Sequence, residues 1–259
     1  MSEKVLYEVT DHVGVITLNR PDVHNAMDDE AADQYRAALD KALQDADVRA
    51  VLIRGAGRSF CSGRDTSMLG RRVDGESDYH FVLRHQQKRR MVLDSPKPFI
   101  AAVKGAVMGG GCETALACDM RISSSNLKMA LPEIAYGLLP DTGGTQLMTA
   151  LIGPSRTKYM VMTGAAIDAQ TALAWGAVDF VVAPEALDGE ALDLARRIAS
   201  RPPIALGMAK GIIDQLYSGG VRNGLAQELL AQTALFKTED YAEARAALRE
   251  KRTPKFKGK

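Results

Sequence analysis

Phe99-Ile100-Ala101-Ala102-Val103-Lys104-Gly105-Ala106-Val107-Met108-Gly109-Gly110-Gly111-Cys112-Glu113 runs from a short apolar stretch into three glycines and an acid. Phe99–Val103 reads as a buried strand, and 113–118 reads as a short helix after the glycines. Backbone without Cβ atoms reaches unusual φ/ψ and lets a ligand approach closely. At a helix start the amide N–H groups have no intrahelical partner and point at whatever sits there. Glu113 places a carboxylate beside those donors. Donors and a carboxylate together are the parts needed for chemistry at a polarised carbonyl.

The same strand–loop–helix alternation extends in both directions. Val5–Thr10 and Val13–Leu18 alternate as two strands around an Asp11-His12 turn. Residues 25–28 supply caps for a helix to about residue 45, followed by a buried-type strand at 51–55. A loop covers 57–65, the polar stretch to residue 77 reads as irregular, and 80–94 reads as helical until Pro96 and Pro98 stop it. Strands are expected at 119–123, 127–130 and 178–182, and helices at 141–151, 155–162 and Ala169–Trp175. Beyond Pro184 every periodic segment is helical, at 185–200, 203–217, 221–236 and 239–252. Alternation followed by helices alone predicts an α/β core with a helical C-terminal extension. Residues 1–200 are assigned to the core with the active site, and 201–259 to helices for oligomerisation and active-site cover.

The 259 residues, 46% hydrophobic, suffice for one large core. With 33 basic and 32 acidic residues, no global field favours nucleic acid or a membrane surface. Cys61, Cys112 and Cys118 have neither metal-ligand spacing nor an even disulfide count, so no metal site is expected. The N-terminal residues show no apolar signal segment, and no apolar run approaches the length of a bilayer span. Together these predict a cytoplasmic protein.

Read together, the motifs resemble the enoyl-CoA hydratase/isomerase (crotonase) family over nearly the whole length. They are Leu18-Asn19-Arg20-Pro21 with Asn25-Ala26, Ser59-Phe60-Cys61-Ser62-Gly63-Arg64-Asp65, and the segment from Lys104 to Glu113. Leu131-Pro132-Glu133, the segment from Gly137 to Thr145, Thr163-Gly164, the segment from Ala174 to Asp179, and the segment from Glu250 to Phe256 follow in order. The resemblance implies an α/β crotonase-like spiral of ββα units with a helical C-terminal trimerisation region, and a homotrimer or homohexamer. It also implies an acyl-CoA thioester substrate of the kind met in fatty-acid β-oxidation, with coenzyme A as part of the substrate and no separate cofactor.

The resemblance further implies roles. The family's oxyanion hole maps to the backbone N–H groups of Arg64 and Gly110. Removing such a donor typically costs about 3–4 kcal/mol of transition-state stabilisation. The Arg64 guanidinium is expected to face away from the thioester or towards the CoA phosphates. The two glutamates of the hydratases map to Glu113, assigned mainly to water activation, and Glu133, assigned mainly to α-proton transfer. Gly63, Asp65, Thr66, Gly109, His24, Met68 and Lys257 are assigned to substrate binding. Asp141 stands where hydratases commonly carry glycine. Aspartate there resembles members that shift double bonds or act on ring-bearing acyl groups. Three carboxylates around one pocket should raise at least one pKa.

Plainer readings compete at several positions. Asp141 is equally well placed to cap a helix at 143–151, and Asp65 to fix its loop through backbone hydrogen bonds. Arg84, Lys88, Arg89 and Arg90 form a basic helix face of the kind usually solvated. Cys112 reads as a packing residue, and Met68, Leu69, Phe81 and Leu83 as acyl-channel lining or core. The leading function is a 2-enoyl-CoA hydratase, a hydro-lyase. The alternatives are an enoyl-CoA isomerase or a ring- or branched-acyl hydratase using Asp141, and a family member that binds CoA or RNA without chemistry. A serine hydrolase lacks its G-x-S-x-G motif.

Overall fold

The structure, a computed structural model, describes residues 3–72, 75–257 and 259, and all side chains of these except those of 215–222. In chain order the elements are β1 (Val5–Thr10), β2 (Val13–Leu18), α1 (Asp29–Gln44), β3 (Ala50–Gly55), α2 (Asp78–Leu93), β4 (Phe99–Val103), β5 (Ala106–Met108) and α3 (Gly110–Leu116). There follow β6 (Met120–Ser124), β7 (Lys128–Ala130), α4 (Gly144–Ile152), α5 (Pro154–Thr163), β8 (Ile167–Asp168), α6 (Ala169–Trp175) and β9 (Phe180–Val182). Three helices close the chain: α7 (Leu187–Ala199), α8 (Pro203–Leu235) and α9 (Glu239–Glu250).

Six strands form one sheet in the order β1-β2-β3-β4-β6-β9. The β1–β2 pair is antiparallel and every later pair is parallel. A sheet covered on both faces needs near-continuous apolar strands, and β3 and β4 meet that demand. Leu52, Ile100 and Ala102 pack on Leu187, Ala191 and Ala195 of α7. Their neighbours Val51, Ile53, Phe99 and Ala101 point the other way, into the larger cluster with Tyr35, Leu39 and Val92. The period of two thus sorts one apolar run into two cores.

A small second sheet, β5-β7-β8, stands beside the first. Together the paired strands and following helices make repeated ββα units, closed by the C-terminal helices. The ββα arrangement explains why β4 stops at Val103: the chain turns at Gly105 and enters β5, in the second sheet, before reaching the glycine triplet.

Several boundaries differ from the sequence reading, and β5 and β8 were not read as strands. The helix expected at 113–118 begins at Gly110, so its first amides belong to the glycines themselves. The helices expected at 203–217 and 221–236 are one helix of 33 residues. Gly219 and Gly220 each cost a helix only about 1 kcal/mol relative to alanine, and Leu225 and Leu229 are buried just beyond them. Val73 and Asp74, within the stretch read as irregular, lie outside the described residues.

Candidate active site

The glycine-rich turn and the loop after β3 are built against each other. Cys61 N–H donates to the Ala106 carbonyl at 3.1 Å, and Met108 N–H returns to the Cys61 carbonyl at 3.0 Å. On the loop's other side, Met27 N–H donates to Gly63 O at 2.8 Å and Asp65 N–H to Met27 O at 3.0 Å. The Asn25 side chain holds the loop through the carbonyls of Ala56 and Ser59. At Gly63 the backbone has φ of 90°, and a Cβ there would stand 2.8 Å from the Met108 carbonyl oxygen and 3.4 Å from the Gly110 nitrogen. Only glycine permits this approach. The result brings Arg64 and Gly110, 46 positions apart, to one edge of a cavity. Among the described residues, no acceptor takes up either of their N–H groups.

The cavity measures about 310 Å³ and lies between α1 and α2 on one side and α3, the turn before α4, and α8 on the other. Glu113, Glu133 and Asp141 all line it. Glu113 is 2% exposed and firmly held. Its Oε1 accepts from Thr142 N–H at 2.8 Å and Gly144 N–H at 2.9 Å, and its Oε2 from the Thr142 hydroxyl at 2.6 Å. Glu133 opens a short 3-10 turn, Glu133–Tyr136, after Pro132. Its Oε2 is buried without a hydrogen-bond partner. Burial, and then the charge of Glu113, push the Glu133 carboxyl well above the ordinary carboxylate range.

Asp141 does not cap α4. The helix starts two residues later than a cap at Asp141 requires, on Gly143 with φ of 107° and no side-chain cap. The Asp141 side chain is instead turned inward, hydrogen-bonded by Gln232 of α8. Gln86 Nε2 holds its carbonyl at 2.8 Å. Burial and the Glu113 charge push the Asp141 carboxyl up to about 7, against the pull of the Gln232 hydrogen bond.

A fourth carboxylate, Glu228 of α8, was not singled out by the sequence reading. It is 4% exposed and accepts from Gly143 N–H at 2.8 Å, Thr145 N–H at 3.3 Å and the Thr145 hydroxyl at 2.5 Å. Burial and Glu113 push it up to about 8. Gln232, one turn further on, accepts from Leu139 N–H at 3.2 Å. The signal was present: Glu228 and Gln232 interrupt, at helical spacing, the face that carries Leu225 and Leu229.

The other assigned residues divide. Gly63, Thr66 and Gly109 line the cavity, as do Leu69 and Phe81. Met68 is not among the lining residues, and Leu83 packs on the Phe81, Val82 and Leu229 cluster. Asp65 accepts from Ser67 N–H and its hydroxyl and ion-pairs with Arg20 at 3.3 Å, which fixes the loop. The His24 ring is engaged by Ser59 and Arg58, outside the cavity. Lys257 N–H donates to Asp240 at 2.6 Å, in a separate surface groove with Glu243 and Arg252. Cys112 is fully buried, and burial pushes its thiol well up.

The Arg64 guanidinium turns into the α1–α2 wall. It ion-pairs with Asp29 at 3.3 Å, lies 4.7 Å from the Phe81 ring centre and donates to His85 Nε2 at 3.2 Å. Because a guanidinium only donates, Nε2 is the acceptor and Nδ1–H donates to Phe81 O at 2.8 Å. The ring is neutral, and burial pushes its pKa well below the usual value. The basic face of α2 divides: Lys88 is 5% and Arg89 7% exposed, Arg84 is half-buried and Arg90 is exposed. That face packs towards α1 across the cavity. Among the described residues, no group of three or more His, Cys, Asp or Glu side chains is placed to hold a metal ion.

Known proteins resemble this chain throughout. A family model described as "Enoyl-CoA hydratase/isomerase" matches residues 8–259. The short-chain-enoyl-CoA hydratase of Clostridium acetobutylicum is 36% identical over 249 residues, covering 96% of this chain and 95% of that one. The 2,3-dehydroadipyl-CoA hydratase of Escherichia coli is 37% identical over 248 residues, 95% of each chain. The crystal structure of an enoyl-CoA hydratase from Mycobacterium avium subsp. paratuberculosis superposes with a TM-score of 0.88 at 30% identity, covering 98% of both chains.

Proposed function

Because the chain belongs to the enoyl-CoA hydratase/isomerase family, we propose that it is a 2-enoyl-CoA hydratase, adding water syn across the double bond to give the 3-hydroxyacyl-CoA. The observation that carries this reading is Glu133. A buried carboxyl oxygen without a protein partner, facing a cavity, is a group kept for a ligand. Burial and the Glu113 charge shift it towards the protonated form, the form that a proton donor needs.

The chemistry follows from the four groups. The thioester oxygen lies between the Arg64 and Gly110 N–H groups, which stabilise negative charge without titrating. Glu113, fixed by three donors, takes a proton as the water oxygen bonds to C3, and the C2–C3 π electrons move onto the thioester as an enolate. Glu133 returns a proton to C2 as the carbonyl re-forms. Glu113 then carries the proton that Glu133 lost, and exchange through water resets the pair.

Asp141 favours one second reading. A buried carboxyl poised at about 7 is suited to moving a proton along the acyl chain, which is double-bond isomerisation. The exposed stripe Ile204, Met208 and Ile212 of α8 supports a homotrimer, or a homohexamer formed as a dimer of trimers. Hydration of 2-enoyl-CoA, read as lost enoyl absorbance in wild type, Glu113→Gln and Glu133→Gln, tests the leading reading.

A further inference from the structure

The cavity wall between α1 and α2 carries a charge pattern that hydration does not use. Three cations there already have carboxylates: Arg64 with Asp29, Arg72 with Asp78 and Arg84 with Glu76. Lys88 differs. It lines the cavity, is buried, and among the described residues has no hydrogen-bond or ion-pair partner. Beside it, Arg89 spends Nη2 on the Gly110 carbonyl at 2.7 Å but leaves Nε buried and unpartnered. The Tyr35 hydroxyl, on the facing helix, is a third buried polar atom without a partner. A buried ammonium without a counter-charge is costly, and proteins seldom hold one beside further unmet donors.

We propose that the acyl group taken by this site ends in a second carboxylate, received by Lys88 and Arg89 between α1 and α2. The inference rests on the acyl-CoA reading above and names its substrate class: 2-enoyl thioesters of dicarboxylic acids. The division of charge in the cavity fits such a molecule. Glu113 of α3, Glu133 of the 3-10 turn and Asp141 of the turn before α4 line the part of the cavity that takes the reacting carbons, and Glu228 of α8 holds the same turn as Glu113. The cations that line it, Arg64, Arg72, Lys88 and Arg89, come from the loop after β3, the segment before α2 and α2 itself. Apolar groups of the same cavity, Met27, Ala32, Leu69 and Phe81, suit the methylenes of a short chain.

The state of Lys88 agrees with this. Burial first, and then Arg89 and Arg84, hold it down at about 7, while Asp33 of α1 pulls the other way. The acids of α1 do not neutralise it. An anionic ligand end supplies the missing charge, so binding at pH 8 takes up a proton.

The test compares saturated thioesters of equal carbon count by titration calorimetry: succinyl- with butyryl-, glutaryl- with pentanoyl-, and adipyl- with hexanoyl-CoA. All share the CoA part, so differences report the acyl terminus. In at least one pair the carboxylated ligand binds tenfold or more tightly, with proton uptake at pH 8 that the neutral ligand lacks. Lys88→Met collapses the ratio to below threefold and Lys88→Arg keeps it. A ratio below tenfold in all three pairs overturns the proposal, as does equal proton uptake or an unchanged ratio in Lys88→Met. If Lys88→Met does not fold, the wild-type ratio and proton uptake decide alone. Turnover of the corresponding 2-enoyl-CoAs is read separately. A binding preference without hydration of any of them rejects the hydratase and keeps this inference, whereas hydration without preference does the reverse.

Discussion

Glu113 and Glu228 divide between them the four consecutive amides that open α4. Thr142 and Gly144 donate to Glu113, and Gly143 and Thr145 donate to Glu228. Neighbouring amides at a helix start point in different directions, which lets one turn serve two carboxylates from opposite sides. Glu113 reaches it from α3 and Glu228 from α8, so the C-terminal helix is tied directly to the group assigned to water activation.

This arrangement predicts how stability follows pH. Burial and Glu113 raise Glu228 to about 8 from an ordinary value of 4.5. The folded chain therefore holds this proton more tightly than the unfolded one. The resulting stabilisation is complete below about 4.5 and is lost as pH rises through about 8. Glu228→Gln removes it, so the variant loses less stability than wild type between pH 5 and pH 9. Denaturant midpoints across that range measure the slope. An equal slope in both proteins refutes the assignment.

Glu113 and Glu133 should respond oppositely to neutralisation. Glu113→Gln puts an amide among three donors and lowers stability by about 1–3 kcal/mol. Glu133→Gln removes a buried acid with an unmet oxygen, and stability holds or rises. Urea unfolding of the two variants checks the sign of the difference.

Asp141 sets the pH profile. Ionising it above about 7 adds a charge beside Glu113 and opposes formation of an enolate. The kcat/KM of wild type therefore falls on the alkaline side of about 7. In Asp141→Asn the limb at about 7 is lost. A limb that stays in place shows that Asp141 does not control the step.

Gly109 lies close against Glu133. At φ of 51° a side chain is already strained, and a Cβ would lie 2.8 Å from Glu133 Oε1. Gly109→Ala displaces that carboxyl and lowers kcat by tenfold or more. An alanine variant with wild-type kcat contradicts the close approach.

The sequence made the central parts of this site readable because they sit in compact local motifs. Gly109 to Glu113, Ser62 to Asp65, and Leu131 to Glu133 each carry turn chemistry that spacing exposes. The strand at 51–55 was equally clear as a buried apolar run, and the structure then sorts Val51 and Ile53 into one core and Leu52 into the other. What escaped depends on distant packing. Glu228 and Gln232 enter the site from a helix that starts 90 residues after Glu113, with no local motif. Lys88 and Arg89 read as solvated because charge on a helix face normally is. Only the placement of α1 and α8 around α2 buries them. Asp141 was legible as a pocket acid, and its competing reading as a cap fails for a local reason: Gly143 starts the helix without a side-chain cap, which frees the aspartate to turn inward.

The measurement closest to the central claim is the rate of enoyl absorbance loss from 2-enoyl-CoA, neutral and ω-carboxylated, with folded wild type, Glu113→Gln and Glu133→Gln. The account predicts hydration by wild type and a loss of about 10²–10⁴-fold in either variant, with acyl-CoA binding retained in both. Full hydration by either variant, or none by wild type, contradicts it.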